Sequence, residues 1–104
     1  MTTRAEQQPT VEEITGTLRA HLTQLSERYG VHALGLFGSY LREEQGRSSD
    51  LDVLVEFDRT PTLLEFVDLQ QYLSDLLGLK VDLVMKRALK PAIGRRILAE
   101  VVPV

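Results

Sequence analysis

The chain has 104 residues, 43% apolar and 26% charged, with a formal net charge of −3, a balance that excludes a disordered or membrane-spanning chain and leaves room for one domain, residues 1–104. There is no cysteine and there are two histidines, which excludes disulfides, thiolate zinc sites, cysteine nucleophiles and histidine-rich metal sites. Any metal must be held by oxygen, and that suits magnesium, manganese or calcium.

Residues 1–9 are expected to be a flexible lead. The opening MTTRAEQQPT lacks the apolar core of a signal peptide, and no window is apolar for long enough to cross a bilayer. A cytoplasmic protein is expected. From Thr10 to Tyr29, Val11, Ile14, Leu18, Leu22 and Leu25 recur every three or four residues, which predicts one amphipathic helix ended by Gly30. VHALGLF, 31–37, is short and apolar and predicts a buried strand. YLREEQ predicts a short helix and GRSS a loop.

LDVLVEF, 51–57, predicts a second strand. A helix then starts at Thr60-Pro61, or at the capping box from Thr62 to Glu65, with Leu63, Phe66, Val67, Leu73, Leu76 and Leu77 facing the core and Gly78 as its stop. LKVDLVM, 79–85, predicts a third strand, and Pro91 begins a last helix bearing Ile93, Ile97 and Val101. This order predicts an α/β (α+β) sandwich in which helices cover a small mixed sheet, mainly on one face.

The second strand opens with two aspartates. Side chains on a strand alternate, so Asp50 and Asp52 project to one side and Leu51, Val53, Val55 and Phe57 to the other. At a rise of about 3.3 Å per residue the two lie about 6.5 to 7 Å apart along the backbone. A D-x-D pair alone is more often the wet face of a strand than a site. Asp82, inside the apolar LKVDLVM, changes that: if the strands are neighbours in suitable register, three carboxylates share one face. Their repulsion is offset by divalent cations, and magnesium shares its coordination between carboxylates and substrate phosphates. An EF-hand is excluded, since Leu54 and Val55 stand where an oxygen ligand and the turn glycine belong.

Ten residues upstream stands Gly38-Ser39. Glycine lets the backbone turn tightly and approach a ligand, and Ser39 opens a short helix whose free N–H groups and hydroxyl can meet phosphate oxygens. Neither a P-loop nor a G-x-G-x-x-G fingerprint is present. Gly38-Ser39, ten residues, then Asp50-x-Asp52, with Asp82 as third carboxylate, resembles the G-S-x(10)-D-x-D signature of the DNA polymerase β-like nucleotidyltransferases. The nearest likeness is to the minimal nucleotidyltransferase (MNT) antitoxins of HEPN/MNT toxin–antitoxin pairs. It runs from about Leu18 to the tail VDLVMKRALKPAIGRRILAEVVPV, and departs at Arg42-Glu43-Glu44, where members often carry Arg-Gly-Glu.

The resemblance implies a protein adenylyltransferase that moves AMP from ATP to a tyrosine of a HEPN ribonuclease toxin. It implies two magnesium ions, or manganese, held by Asp50, Asp52 and Asp82, with Asp82 beside the attacking hydroxyl. Gly38 and Ser39, with Arg42 nearby, would hold the nucleotide phosphates. The alternatives are a binding-only antitoxin and a transferase for a small molecule such as an aminoglycoside, whose relatives usually carry an additional domain. From Glu43 to Asp82 ten acidic residues face three basic ones, after which Lys86, Arg87, Lys90, Arg95 and Arg96 form a basic tail. It could steer ATP or meet an acidic toxin surface, or be a solvated helix face; general nucleic-acid binding is not expected from an acidic chain. Tyr29, Tyr40 and Tyr72 read as packing residues and His32 as structural.

Overall fold

The computed structural model describes residues 9–42 and 50–104. The expectations for residues 1–8, for Glu43 and Glu44 and for the loop at 46–49 lie outside the described residues. Chain order is α1 (Val11–Ala20), α2 (Leu22–Tyr29), β1 (Val31–Phe37), α3 (Ser39–Arg42), β2 (Leu51–Phe57), α4 (Leu63–Leu77), β3 (Val81–Met85), a 3-10 turn (Lys86–Ala88), α5 (Pro91–Glu100) and β4 (Val102–Pro103).

The single helix expected over 10–29 is two. His21 has φ −107° and ψ 5°; its N–H donates to the Leu18 carbonyl at 3.0 Å, three residues back, and its ring Nδ1 donates to the Thr17 carbonyl at 2.9 Å. That tighter turn kinks the run without ending it, because Leu25 N–H still reaches the His21 carbonyl. Thr10 and Glu13 form a reciprocal capping box at the start of α1, and Thr62 and Glu65 form another at α4. Gly30 and Gly78 end α2 and α4 in the left-handed region, as expected.

The sheet order is β3-β2-β1-β4. β1 runs antiparallel to β2 and β4, and β2 runs parallel to β3. The connections β2-α4-β3 and β3-α5-β4 therefore both join parallel strands, but travel in opposite directions along the sheet. The right-handed crossover rule then sets α4 on one face and α5 on the other. Leu51, Val53 and Val55 of β2, Leu36 of β1, Ile14, Leu18 and Leu25 of α1 and α2, and Leu69 and Leu73 of α4 are fully buried together on the first face. On the second face Val101 lies against Gly35, where an added Cβ would meet its methyl at 2.6 Å.

Two expected core positions, Leu63 and Val67, are corrected. Leu63 and Val67 are 76% and 50% exposed, since the buried stripe of α4 is phased on Leu69 and Leu73, with Phe66, Leu76 and Leu77 at its margins. Ile93 is 51% exposed; α5 buries Gly94 instead, against Leu89. Periodicity marked the apolar face of each helix but not how far the sheet beneath it extends.

Candidate active site

Phe37, Asp52 and Asp82 form one row across three strands. Phe37 pairs with Asp52 across the antiparallel ladder, and Asp52 with Asp82 across the parallel one. Directly paired residues point to the same face, so the two carboxylates emerge side by side on strands about 4.8 Å apart. In the next row, Gly35, Leu54 and Val84, Gly35 lies against Val101 and Leu54 is 5% exposed. Asp52 is half-buried and Asp82 exposed, so the pair opens just where the cover of the second face ends. Asp50 is half-buried at the mouth of β2, one residue before the regular strand.

Gly38 follows Phe37 with φ +90°. A Cβ there would overlap the Asp52 carboxylate at Oδ2 and stand 2.9 Å from its Cγ. The backbone turn after β1 is thus closed onto the aspartate at the centre of the row, and this site needs glycine for both conformation and space. Ser39 opens α3, which is a single turn; with so little macrodipole, phosphate recognition here would rest on backbone N–H groups and the Ser39 hydroxyl. Arg42 closes α3, and the direction of its side chain lies outside the description.

Among the described residues no three carboxylate, imidazole or thiolate groups stand ready as a metal cage. The donor set nonetheless suits magnesium, which takes one or two carboxylates and completes its shell with water and substrate phosphate. Asp52 and Asp82, with Asp50 two residues before Asp52, are the carboxylates that would hold it. A cleft of about 480 Å³, lined by Val55, Phe57, Pro61, Met85, Lys86 and Leu89 among others, lies at the far end of β2. Its nearest strand positions, Val55 and Met85, stand three residues from Asp52 and Asp82, about 10 Å along the strands, and point to the opposite face of the sheet, so the carboxylates do not open into that cleft.

The tyrosines are engaged as packing residues. Tyr29 is buried, donates to Asp68 at 2.6 Å and stacks at a tilt on Tyr72 beneath Arg28; burial, then the Asp68 hydrogen bond, push its pKa up to about 12. Tyr40, beside Ser39, is buried, which raises its pKa, and donates to the Pro9 carbonyl at 2.7 Å. His32 is exposed, 3.1 Å from Asp58. Sequence reasoning passed over two residues that touch the site's backbone: Ser74 and Gln70 of α4 accept from the amides of Val81 and Leu83, one on each side of Asp82.

A nucleotidyltransferase domain model matches residues 18–103, which include the glycine turn and all three aspartates. The chain belongs to the nucleotidyltransferase family. The protein adenylyltransferase MntA of Thermococcus cleftensis is 53% identical over 93 residues, covering 89% of this chain and 94% of that protein. A solved structure provisionally described as a minimal nucleotidyltransferase superposes with TM-score 0.76 at 36% identity, over 92% of this chain and 97% of the other. A toxin–antitoxin crystal structure with AMP-PNP superposes with TM-score 0.64 at 27% identity, over 86% of this chain and 68% of that one. The small mixed sheet with its helices is therefore the minimal nucleotidyltransferase fold, and the activity class is nucleotidyl transfer.

Proposed function

We propose that this nucleotidyltransferase is the antitoxin of a HEPN/MNT pair, and that it transfers AMP from ATP to a tyrosine hydroxyl of its HEPN ribonuclease toxin. The observation that carries the reading is the pairing of Asp52 with Asp82 in parallel register while the bare α-carbon of Gly38 lies against the Asp52 carboxylate. Its kinship with an adenylyltransferase named MntA, and with the antitoxin fold seen beside AMP-PNP, supports the donor and the partner.

In this reading the phenolic oxygen forms a bond to the α-phosphorus as the bond to the bridging oxygen breaks, and pyrophosphate leaves. A carboxylate oxygen of Asp82, the exposed member of the pair, accepts the phenolic proton. Asp50, Asp52 and Asp82 would hold two magnesium ions, which when bound neutralise charge at the α-phosphorus and on the leaving group. Gly38 and Ser39 orient the β- and γ-phosphates through backbone N–H groups and the Ser39 hydroxyl. The phosphates and the acceptor thus meet on an open face of the sheet, which suits a protein acceptor that brings its own wall.

The test is the intact mass of the protein encoded beside this one after incubation with ATP, magnesium and either the wild-type chain or its Asp50→Asn/Asp52→Asn form. A gain of one or more AMP units with wild type alone supports the reading. No gain, with a stable complex from both forms, replaces it by neutralisation through binding.

A further inference from the structure

Asp82 lies on β3, an edge of the sheet formed by the described residues. The strand is five residues long and carries a carboxylate directly opposite another. Like charges facing each other across a ladder push the strands apart, and an edge strand has a neighbour on one side only. The Lys80 carbonyl accepts from Leu51 N–H at 3.0 Å. Even-numbered residues of β3 therefore bond to β2, and odd-numbered ones turn their N–H groups to the open side.

There α4 takes the place of a further strand. Ser74 Oγ accepts from Val81 N–H at 3.0 Å, and Gln70 Oε1 accepts from Leu83 N–H at 2.8 Å. Four residues apart on a helix, the two acceptors fall on one face, and both are half-buried. The backbone at Asp82 is thus held from two sides, by β2 through its own groups and by α4 through those of its neighbours. Neither bond reaches the carboxylate, so Gln70 and Ser74 bear on where it stands and not on its chemistry.

We propose that Gln70 and Ser74 are positioning residues for Asp82, clamping the edge strand so that the Asp82 carboxylate stays level with Asp52 and the pair can share a divalent cation. The inference rests on the reading of Asp82 as a site carboxylate. Its test therefore needs no turnover: Mn²⁺ alone is titrated into the whole chain by electron paramagnetic resonance, and hydrogen exchange is followed at the amides of β2 and β3.

In Gln70→Ala the Leu83 amide is expected to exchange at least about tenfold faster while Leu54, whose N–H turns away from β3 towards β1, is unchanged, and the Kd for Mn²⁺ to rise about tenfold, the usual scale for loss of a group that orients a metal ligand. Gln70→Glu keeps an accepting oxygen and should restore both. Gln71→Ala, which removes an exposed partner of Asp75, should alter neither. Asp82→Asn is measured alongside. If it leaves Mn²⁺ affinity unchanged, the site reading falls and this inference with it. If it weakens Mn²⁺ while Gln70→Ala does not, the inference alone is overturned. Should Gln70→Ala fail to fold, Ser74→Ala, which frees only Val81, decides by the same two readouts at Val81 and Mn²⁺.

Discussion

Replacing Gly38 with alanine separates the cost of backbone strain from the cost of misplacing a carboxylate. A left-handed backbone costs an L-residue about 1 to 2 kcal/mol, and Gly38 has φ +90°. The added methyl also meets the Asp52 carboxylate. This contact is with the movable end of a side chain, so it is relieved by swinging the carboxylate away rather than by unfolding. The loss of stability should then stay within about 1 to 3 kcal/mol, or about 4 to 8 °C in Tm for each kcal/mol in a domain of this size. Displacing a reacting group by about 1 Å can cost about a hundredfold in rate, so activity should fall far more than the folded fraction does. Gly78→Ala is the matched control: φ is +70° and no described atom lies within 4 Å of the Cβ position, so it carries the strain without the carboxylate. Urea melts and mass-resolved time courses of AMP transfer on both variants make the comparison. Similar losses of stability, with a roughly hundredfold loss of transfer in Gly38→Ala alone, are expected. Equal activity in the two variants would refute the reasoning.

Asp52→Asn should abolish transfer without unfolding the chain; circular dichroism melts beside mass spectrometry check both halves. Tyr29, with a pKa raised from 10.0 to about 12, contributes stability that is complete below pH 10 and is lost as pH rises towards 12. The loss is at most about 2 to 3 kcal/mol. Urea melts between pH 9 and 12 should show the decline, and Tyr29→Phe should flatten it; an unchanged alkaline slope would remove Tyr29 as its source. The Glu65 carboxyl is held below its usual 4.5, first by the backbone hydrogen bond at Thr62 and then by Arg59. Its contribution is therefore present above pH 4.5 and disappears as pH falls through the lowered value, which amide exchange in the first turn of α4 would register. Thr62→Ala, which deletes the reciprocal cap, should cost about 0.5 to 2 kcal/mol in thermal or urea unfolding.

Where the chain turns and where it stays regular was written in local chemistry. Val31–Phe37 and Leu51–Phe57 were legible as short apolar runs, Gly30 and Gly78 as helix stops, and Thr62 with Glu65 as a cap, because propensity and capping act within a few residues of themselves. The family resemblance carried by Gly38, Ser39, Asp50 and Asp52 pointed to nucleotidyl transfer before any fold was known. Three things were not legible. The register that sets Asp82 opposite Asp52, the exposure of Leu63, Val67 and Ile93, and the grip of Gln70 and Ser74 on β3 all depend on residues distant in sequence. A strand carries its side-chain alternation within itself, but its neighbour, direction and register come from the sheet. The sequence alone therefore supplied the candidates for holding a phosphate and a cation, and the tertiary structure decided which carboxylates stand side by side, because pairing a carboxylate with its neighbour is a property of two strands and not of either one.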